Sequence, residues 1–305
     1  MVDEVSETLA RILDRTGNYR ILRRVPRPEP STMTDAERAA AGLAVGIVLD
    51  TETTGLGDAD EVIELGMLRF AFDPVQIRVA HVVDGFSALR QPSRPIPPDV
   101  VRLTGITDND VAGRTIDDDA VTRFVAGASI VIAHNAGFDR PVVERAWPWF
   151  AELPWACSLT QVDWRAEGFE GRRLGQLLAE RRSYHDGHRA LDDCAALLHL
   201  LQLPLTLGAT GFELMMGTAA QVTVRVWATA SPFERKDVLK ARGYRWASGD
   251  GRTPRAWWRD VPEANVDAEV SHLRDHVYGD PGAQPLLRRV TARERFSVRA
   301  DAPCR

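Results

Sequence analysis

Two carboxylates two residues apart, Asp50 and Glu52, close the apolar run AVGIVLD and open the segment TETTG. On an extended strand, side chains at i and i+2 point to the same face. Such a pair repels and holds on to protons unless positive charge lies between its members. A hard dication such as Mg²⁺, which takes a few carboxylate oxygens together with water and phosphate, is the natural partner. Thr53, Thr54 and Gly55 follow at once; small residues and a glycine let backbone approach a bound ligand closely. Asp139 stands in the first turn expected after the run SIVIAHN, on the side of a central strand where α/β folds gather their sites. His188, preceded by Asp186-Gly187, sits at the mouth of a further helix, where an imidazole can move and titrate near neutrality as a general base does. Asp193 lies about one turn further on.

The elements that must position these groups are legible from periodicity. Apolar residues at helical spacing (Val5, Leu9, Ile12, Leu13) predict a short amphipathic helix within residues 5–24, and PRPEPSTMTD reads as a linker. AVGIVLD, VIELGMLRF and IRVAHVVDGFSAL read as strands separated by turn signals, and SIVIAHN and PWACSLT as two more. Helices are expected near Pro98–Thr104 and Asp117–Ala126, and over GFDRPVVERAWPWF, RRLGQLLAERR and HRALDDCAALLHLLQL. Strands first, then helix and strand in alternation, fit a mixed sheet covered by helices. Residues 204–218 read as a connector, with 208–218 the linker proper, and a second β-like pattern starts at QVTVRVWA.

Taken together, Asp50-Thr51-Glu52-Thr53-Thr54-Gly55, His134-Asn135-Ala136-Gly137-Phe138-Asp139 and His188-x4-Asp193 resemble the three motifs of the DEDDh family of 3′→5′ exonucleases. That family includes the proofreading epsilon subunit of bacterial DNA polymerase III. The likeness runs over about residues 45–203, roughly half of the chain, in the family's order. It implies a ribonuclease-H-like α/β fold and hydrolysis of phosphodiester bonds from a 3′ end with two divalent ions, Mg²⁺ or Mn²⁺. It further implies that Asp50, Glu52 and Asp193 hold one ion, that Asp50 is shared with a second, and that Asp139 acts directly or through water. His188 would be the base. Motif spacing favours it over His185, which would need an Asp at 190 where Ala190 stands. A tyrosine-type sister family would pair Tyr184 with an Asp at 188, which is His188 itself. Substrate contacts are expected from Thr53, Thr54, Gly55, Asn135 and Phe138. Asp99 and Thr104 join them, because Pro98–Ile106 aligns with a segment that embraces the terminal nucleotide. The epsilon subunit carries a His where Thr104 stands.

The division expected is an N-terminal helical extension and linker over 1–42, an exonuclease domain over 43–207, a linker over 208–218, and a small α+β module over 219–305. The chain is 44% hydrophobic and 27% charged with a net charge of −5, ordinary for a globular protein. The balance is uneven: residues 219–305 hold 16 Lys and Arg against 11 Asp and Glu. There Arg245, Trp246, Trp257, Trp258 and Arg259 interleave rings and cations, the pattern on which unpaired nucleic acid stacks, although large rings also fill the cores of small modules. No apolar run is long enough to span a membrane and the first residues do not read as a secretory signal. Cys157, Cys194 and Cys304 show no metal or disulfide spacing, so a reducing cytoplasm is expected. Expected partners are DNA 3′ ends, single-stranded or frayed, with DNA polymerase III or its sliding clamp. For the clamp the segment Gln202-Leu203-Pro204-Leu205-Thr206-Leu207 resembles a clamp-binding peptide. The alternatives are an RNA-degrading enzyme of the same family and a non-catalytic adaptor that keeps the fold.

Overall fold

The computed structural model describes residues 4–57, 59–206, 208–249 and 253–301. Helix α1 (Glu4–Arg15), a short strand β1 (Arg23–Arg24) and helix α2 (Asp35–Ala40) precede three long strands, β2 (Ala44–Thr53), β3 (Val62–Asp73) and β4 (Arg78–Leu89). Short helices α3 (Pro98–Thr104), α4 (Asp108–Val111) and α5 (Asp118–Val125) lead to β5 (Ile130–Ala133), α6 (Ala136–Ala146) and β6 (Trp155–Cys157). The first half of the architecture ends with α7 (Ser158–Gln161), α8 (Leu174–Glu180), β7 (Ser183–Tyr184), α9 (Ala190–Gln202) and α10 (Gly211–Ala220). Strands β2 to β6 form one mixed sheet in the order β4-β3-β2-β5-β6, antiparallel on the β4 side and parallel through β5 and β6. This is the ribonuclease-H-like α/β arrangement that the motifs implied.

Period-2 alternation divides the sheet between two cores. Val48, Leu68, Phe70 and Ile132 face α8, α9 and α10, whereas Ile47, Leu49, Met67 and Val131 face α5 and α6. Asp50 and Glu52 share parity with Val48 and so belong to the α9 side; Thr51 belongs to the α6 side. Both faces being covered, β3 is buried along nearly its whole length.

The segment 208–218, read as a linker, is instead largely the helix α10. Thr210 and Glu213 form a reciprocal capping box at its start. Phe212 meets Phe70 and Phe72 edge-on at 5.8 and 5.4 Å, contacts worth about 0.5–1.5 kcal/mol each beyond area burial. The clamp-like hexapeptide is likewise not a free peptide: Gln202 ends α9, Leu205 is 5% exposed in the core, and Arg181 donates to the Pro204 carbonyl. Leu207 lies outside the described residues. The N-terminal helix stops at Arg15, and the chain after it pairs β1 in parallel with β7. Ion pairs Arg24–Asp186 (2.6 Å) and Arg182–Asp14 (2.6 Å) reinforce that contact.

The C-terminal module is an antiparallel sheet of β8 (Thr223–Ala228), β9 (Arg245–Ala247), β10 (Ala256–Pro262) and β11 (Leu286–Val290), ordered β11-β8-β10-β9. Helices α11 (Lys236–Ala241) and α12 (Val266–His272) cover one face through Val224, Val226, Leu239, Val261 and Leu273. The other face turns toward the first half of the molecule. The two halves are tied by the fully buried Arg140 of α6, which donates to the carbonyls of Ala292 (3.1 Å), Arg293 and Arg295 (2.8 Å). Trp155 N–H also donates to the Ala292 carbonyl (2.8 Å). Cys157 and Cys194 are buried free thiols; Cys304 lies outside the described residues. Among the described residues no helix is long and apolar enough to cross a membrane.

Candidate active site

Register explains how the carboxylates meet. Asp50 pairs with Gly66, and Glu52 with Glu64, across β2 and β3. A side chain at Gly66 would bring its Cβ to 2.3 Å from the Ala190 carbonyl carbon and 2.4 Å from Leu191 N. Only glycine lets the first turn of α9 lie directly on the sheet there. Glu64, whose side chain is 1% exposed, completes the seat: Oε2 accepts from Ala190 N–H (3.2 Å) and the Arg189 guanidinium donates to both oxygens. One orphan N–H of the helix start is thereby satisfied from a neighbouring strand.

With α9 so placed, Asp193 comes beside the two strand carboxylates. Asp50, Glu52 and Asp193 each offer an oxygen, and these oxygens lie within 4.8 Å of one another. Burial, then the charges of Asp139, Asp193 and Glu52, push the Asp50 carboxyl well above its usual range. Burial followed by Asp193 and Glu64 pushes Glu52 up to about 8. Oxygen donors this close and this short of positive charge fit a hard dication, so the cluster could hold a metal ion.

Asp139 belongs to the same neighbourhood from the opposite face. Its Oδ1 accepts from the N–H (3.2 Å) and hydroxyl (2.9 Å) of Thr51, the residue between the two strand carboxylates. It is 3% exposed, and burial, opposed by the Thr51 bonds, pushes it up to about 7. It is not among the three carboxylates whose oxygens converge within 4.8 Å. Asn135, which precedes α6, holds a left-handed backbone (φ 91°), a conformation uncommon outside glycine and frequent at functional sites.

The two histidines stand in different surroundings. His188 is exposed, left-handed (φ 69°), and its side chain makes no hydrogen bond among the described residues. His185, set aside on spacing, is bonded through Nε2 to Asp193 Oδ1 at 2.8 Å, while Asp193 Oδ2 accepts from Arg189 N–H (3.1 Å). No motif signals this contact, because it crosses from a loop to a helix turn eight residues later. His134 is a tie rather than a base: Nε2 lies 2.8 Å from the Arg172 carbonyl, and Nδ1 2.7 Å from Ser158 Oγ. A carbonyl only accepts, so Nε2 carries the proton and Nδ1 accepts from the hydroxyl. Burial lowers its pKa accordingly.

Of the remaining candidates, Thr53 donates to the Gly55 carbonyl and Thr54 to Asp60 (2.9 Å), so both hydroxyls are spent on shaping their loop. Thr104 is buried, donating to the Val100 carbonyl (2.9 Å) and accepting from Ile106 N–H (3.1 Å). That is the bonding of a helix end. Asp99 is exposed in the first turn of α3, and Phe138 is half-buried beside Asp139.

Residues 47–201 match the family model described as Exonuclease (RNase_T). The chain is 30% identical over 162 residues to the DNA polymerase III subunit epsilon of Treponema pallidum, covering 50% of this chain and 72% of that protein. It is 30% identical over 181 residues to the PolC-type DNA polymerase III of Thermotoga maritima, covering 54% of this chain but only 12% of that much longer protein. A solved complex of exonuclease X with 5′-overhanging duplex DNA is 28% identical, with a TM-score of 0.37, over 50% of this chain and 88% of the other.

Proposed function

The chain belongs to the exonuclease family, and from that premise we propose that it removes nucleotides from the 3′ end of single-stranded or frayed DNA in proofreading or repair. The observation that carries this reading is the convergence of Asp50, Glu52 and Asp193 within 4.8 Å, with Asp139 locked to the strand between them. An adaptor has no physical need to bury so many carboxylates together, whose desolvation is costly without a cation. DNA rather than RNA is favoured by the epsilon relative, of which the chain covers 72%.

In this reading Asp50, Glu52 and Asp193 hold Mg²⁺ or Mn²⁺, with Asp139 acting beside Asp50 directly or through water. Two such ions, when bound there, would lower the pKa of the attacking water and stabilise the leaving 3′ oxygen. His188, exposed just before α9, accepts the water proton. Glu64 and Arg189 hold the α9 turn in register, so that Asp193 is positioned before substrate arrives. The N-terminal extension and the C-terminal module are accessory to this core. A cytoplasmic setting and association with a replicative polymerase complete the proposal.

Digestion of 5′-end-labelled single-stranded DNA and RNA of matched sequence, with Mg²⁺ or Mn²⁺, tests it. Stepwise shortening of DNA from the 3′ end is expected. It should vanish with Asp50→Ala and with EDTA, and slow by about 10²–10⁴-fold with His188→Ala. Intact DNA under both metals would remove the proposal, and faster loss of RNA would move the substrate to RNA.

A further inference from the structure

A cleft of about 500 Å³ separates the exonuclease half from the module. One wall is the start of α6, with Asn135 and Gly137; the other is the module's open sheet face, with Arg225, Arg245 and Trp258. Asn135 and Gly137 stand at the start of the helix that carries Asp139, so the cleft wall and the carboxylate site share one element.

The cleft wall is built, not incidental. Trp258 pairs with Arg245 across β10 and β9, and its ring centroid lies 4.1 Å from the Arg225 guanidinium carbon and 4.2 Å from that of Arg245. The two cations are not equivalent. Arg225 is 6% exposed and neutralised by Asp260, through both oxygens at 2.7 and 2.9 Å, and by Asp301. Arg242, Arg259 and Arg289 also have carboxylate partners, Glu269 for the first two and Glu263 for the third. Arg245 is exposed and has no carboxylate partner among the described residues. Across the cleft Gln161 is 7% exposed; its Oε1 accepts from Cys157 N–H (2.7 Å), which leaves its Nε2 a buried donor without a partner. A stacked cation held in place by an aromatic ring, facing a spare donor, suits a chain of phosphates and planar bases.

We propose that this cleft, gripped by Arg245 over Trp258 and by Gln161, carries the stretch of single-stranded DNA that leads up to the 3′ end in the site. The inference rests on the exonuclease reading for the direction of the strand, but its test does not depend on catalysis.

Binding of a fluorescent thymidine dodecamer and a thymidine trimer is measured by anisotropy, across a salt series, in full-length protein carrying Asp50→Ala. The titrations are run in EDTA, so that the strand survives even if Asp50 is not catalytic. Arg245→Glu is expected to weaken the dodecamer about tenfold and to reduce the slope of log K against log salt by about 0.7, the value of one lost phosphate contact. Gln161→Glu keeps the acceptor for Cys157 and should weaken the dodecamer too; the trimer should change less than about twofold in both. Arg289→Glu reverses a paired charge outside the cleft and should leave dodecamer affinity within about twofold. Unchanged affinity and slope in Arg245→Glu would overturn the proposal. So would equal losses in Arg245→Glu and Arg289→Glu, or competition by polyglutamate as strong as by DNA, which would make the cleft a seat for an acidic protein. A protein that fails to shorten labelled DNA yet shows the Arg245 effect keeps the strand cleft and loses the exonuclease reading; the reverse pattern does the opposite.

Discussion

Asp193 uses its two oxygens differently: Oδ1 meets His185 and Oδ2 the N–H of Arg189. A carboxylate fixed in this way presents itself to a cation without paying for a rotamer search, and partners of metal ligands typically contribute 10–100-fold in affinity. His185→Ala is therefore expected to weaken Mn²⁺ binding by about 10–100-fold in a calorimetric titration, with His185→Gln, which keeps a donor, recovering much of it. Equal affinity in His185→Ala would mean that the contact positions nothing. The acid groups also make a statement about pH. Glu52 and Asp139 sit at about 8 and about 7 in the fold, against ordinary values of 4.5 and 3.8. The folded protein thus holds more protons than the unfolded chain between about pH 4 and about pH 8, and stability drains away as pH rises through that window. Melting temperature in EDTA should fall between about pH 5 and about pH 8, and Mg²⁺, by replacing the protons, should flatten or reverse the decline. Identical slopes with and without Mg²⁺ would argue against the metal cluster.

At the level of elements, the decisive contact is α9 on β3. Gly66 is required because its absent side chain is where the Ala190–Leu191 backbone passes, and Glu64 caps the same turn. Gly66→Ala forces the helix outward; overpacking of this kind costs about 1–3 kcal/mol. Activity should drop further than stability does, since α9 carries both Asp193 and, just before it, His188. Urea unfolding beside the DNA digestion rate checks this, and a Gly66→Ala protein with the wild-type rate would show that the close approach does not set the site. The N-terminal extension acts on the same region, because β1 pairs with β7 immediately before the histidine loop.

For the molecule as a whole, polar contacts of the 292–299 segment join the two halves, and the most buried of them belong to Arg140. Arg140 is next to Asp139 in sequence, is fully buried, and serves three carbonyls of the 292–295 segment as well as Glu144. Arg140→Ala removes one donor from each, but Ala292 keeps Trp155, Arg293 keeps Arg299 and Glu144 keeps Ser297 and Arg299; the buried Arg295 carbonyl loses its partner, which costs about 1–3 kcal/mol. Chemical denaturation should register that loss, and limited trypsin digestion should open first near Arg293 and Arg295. A variant as stable and as protease-resistant as the parent would show that the halves hold together by other means.

The site's raw material and much of its frame were legible in the spacing of neighbouring residues. Period-2 alternation along AVGIVLDTET put Asp50 and Glu52 on one face, and the apolar runs announced the strands and helices that carry Asp139 and Asp193. Such features are local, written in the spacing of neighbours. What the tertiary structure decided were meetings between residues distant in the chain: His185 rather than His188 on Asp193, Glu64 under Arg189, Asp139 on Thr51, and α10 packed on Phe70 and Phe72 where a linker was expected. The cleft between the halves is of the same kind. These depend on how close two surfaces approach and on which side chain fills the gap, and neither is encoded in periodicity.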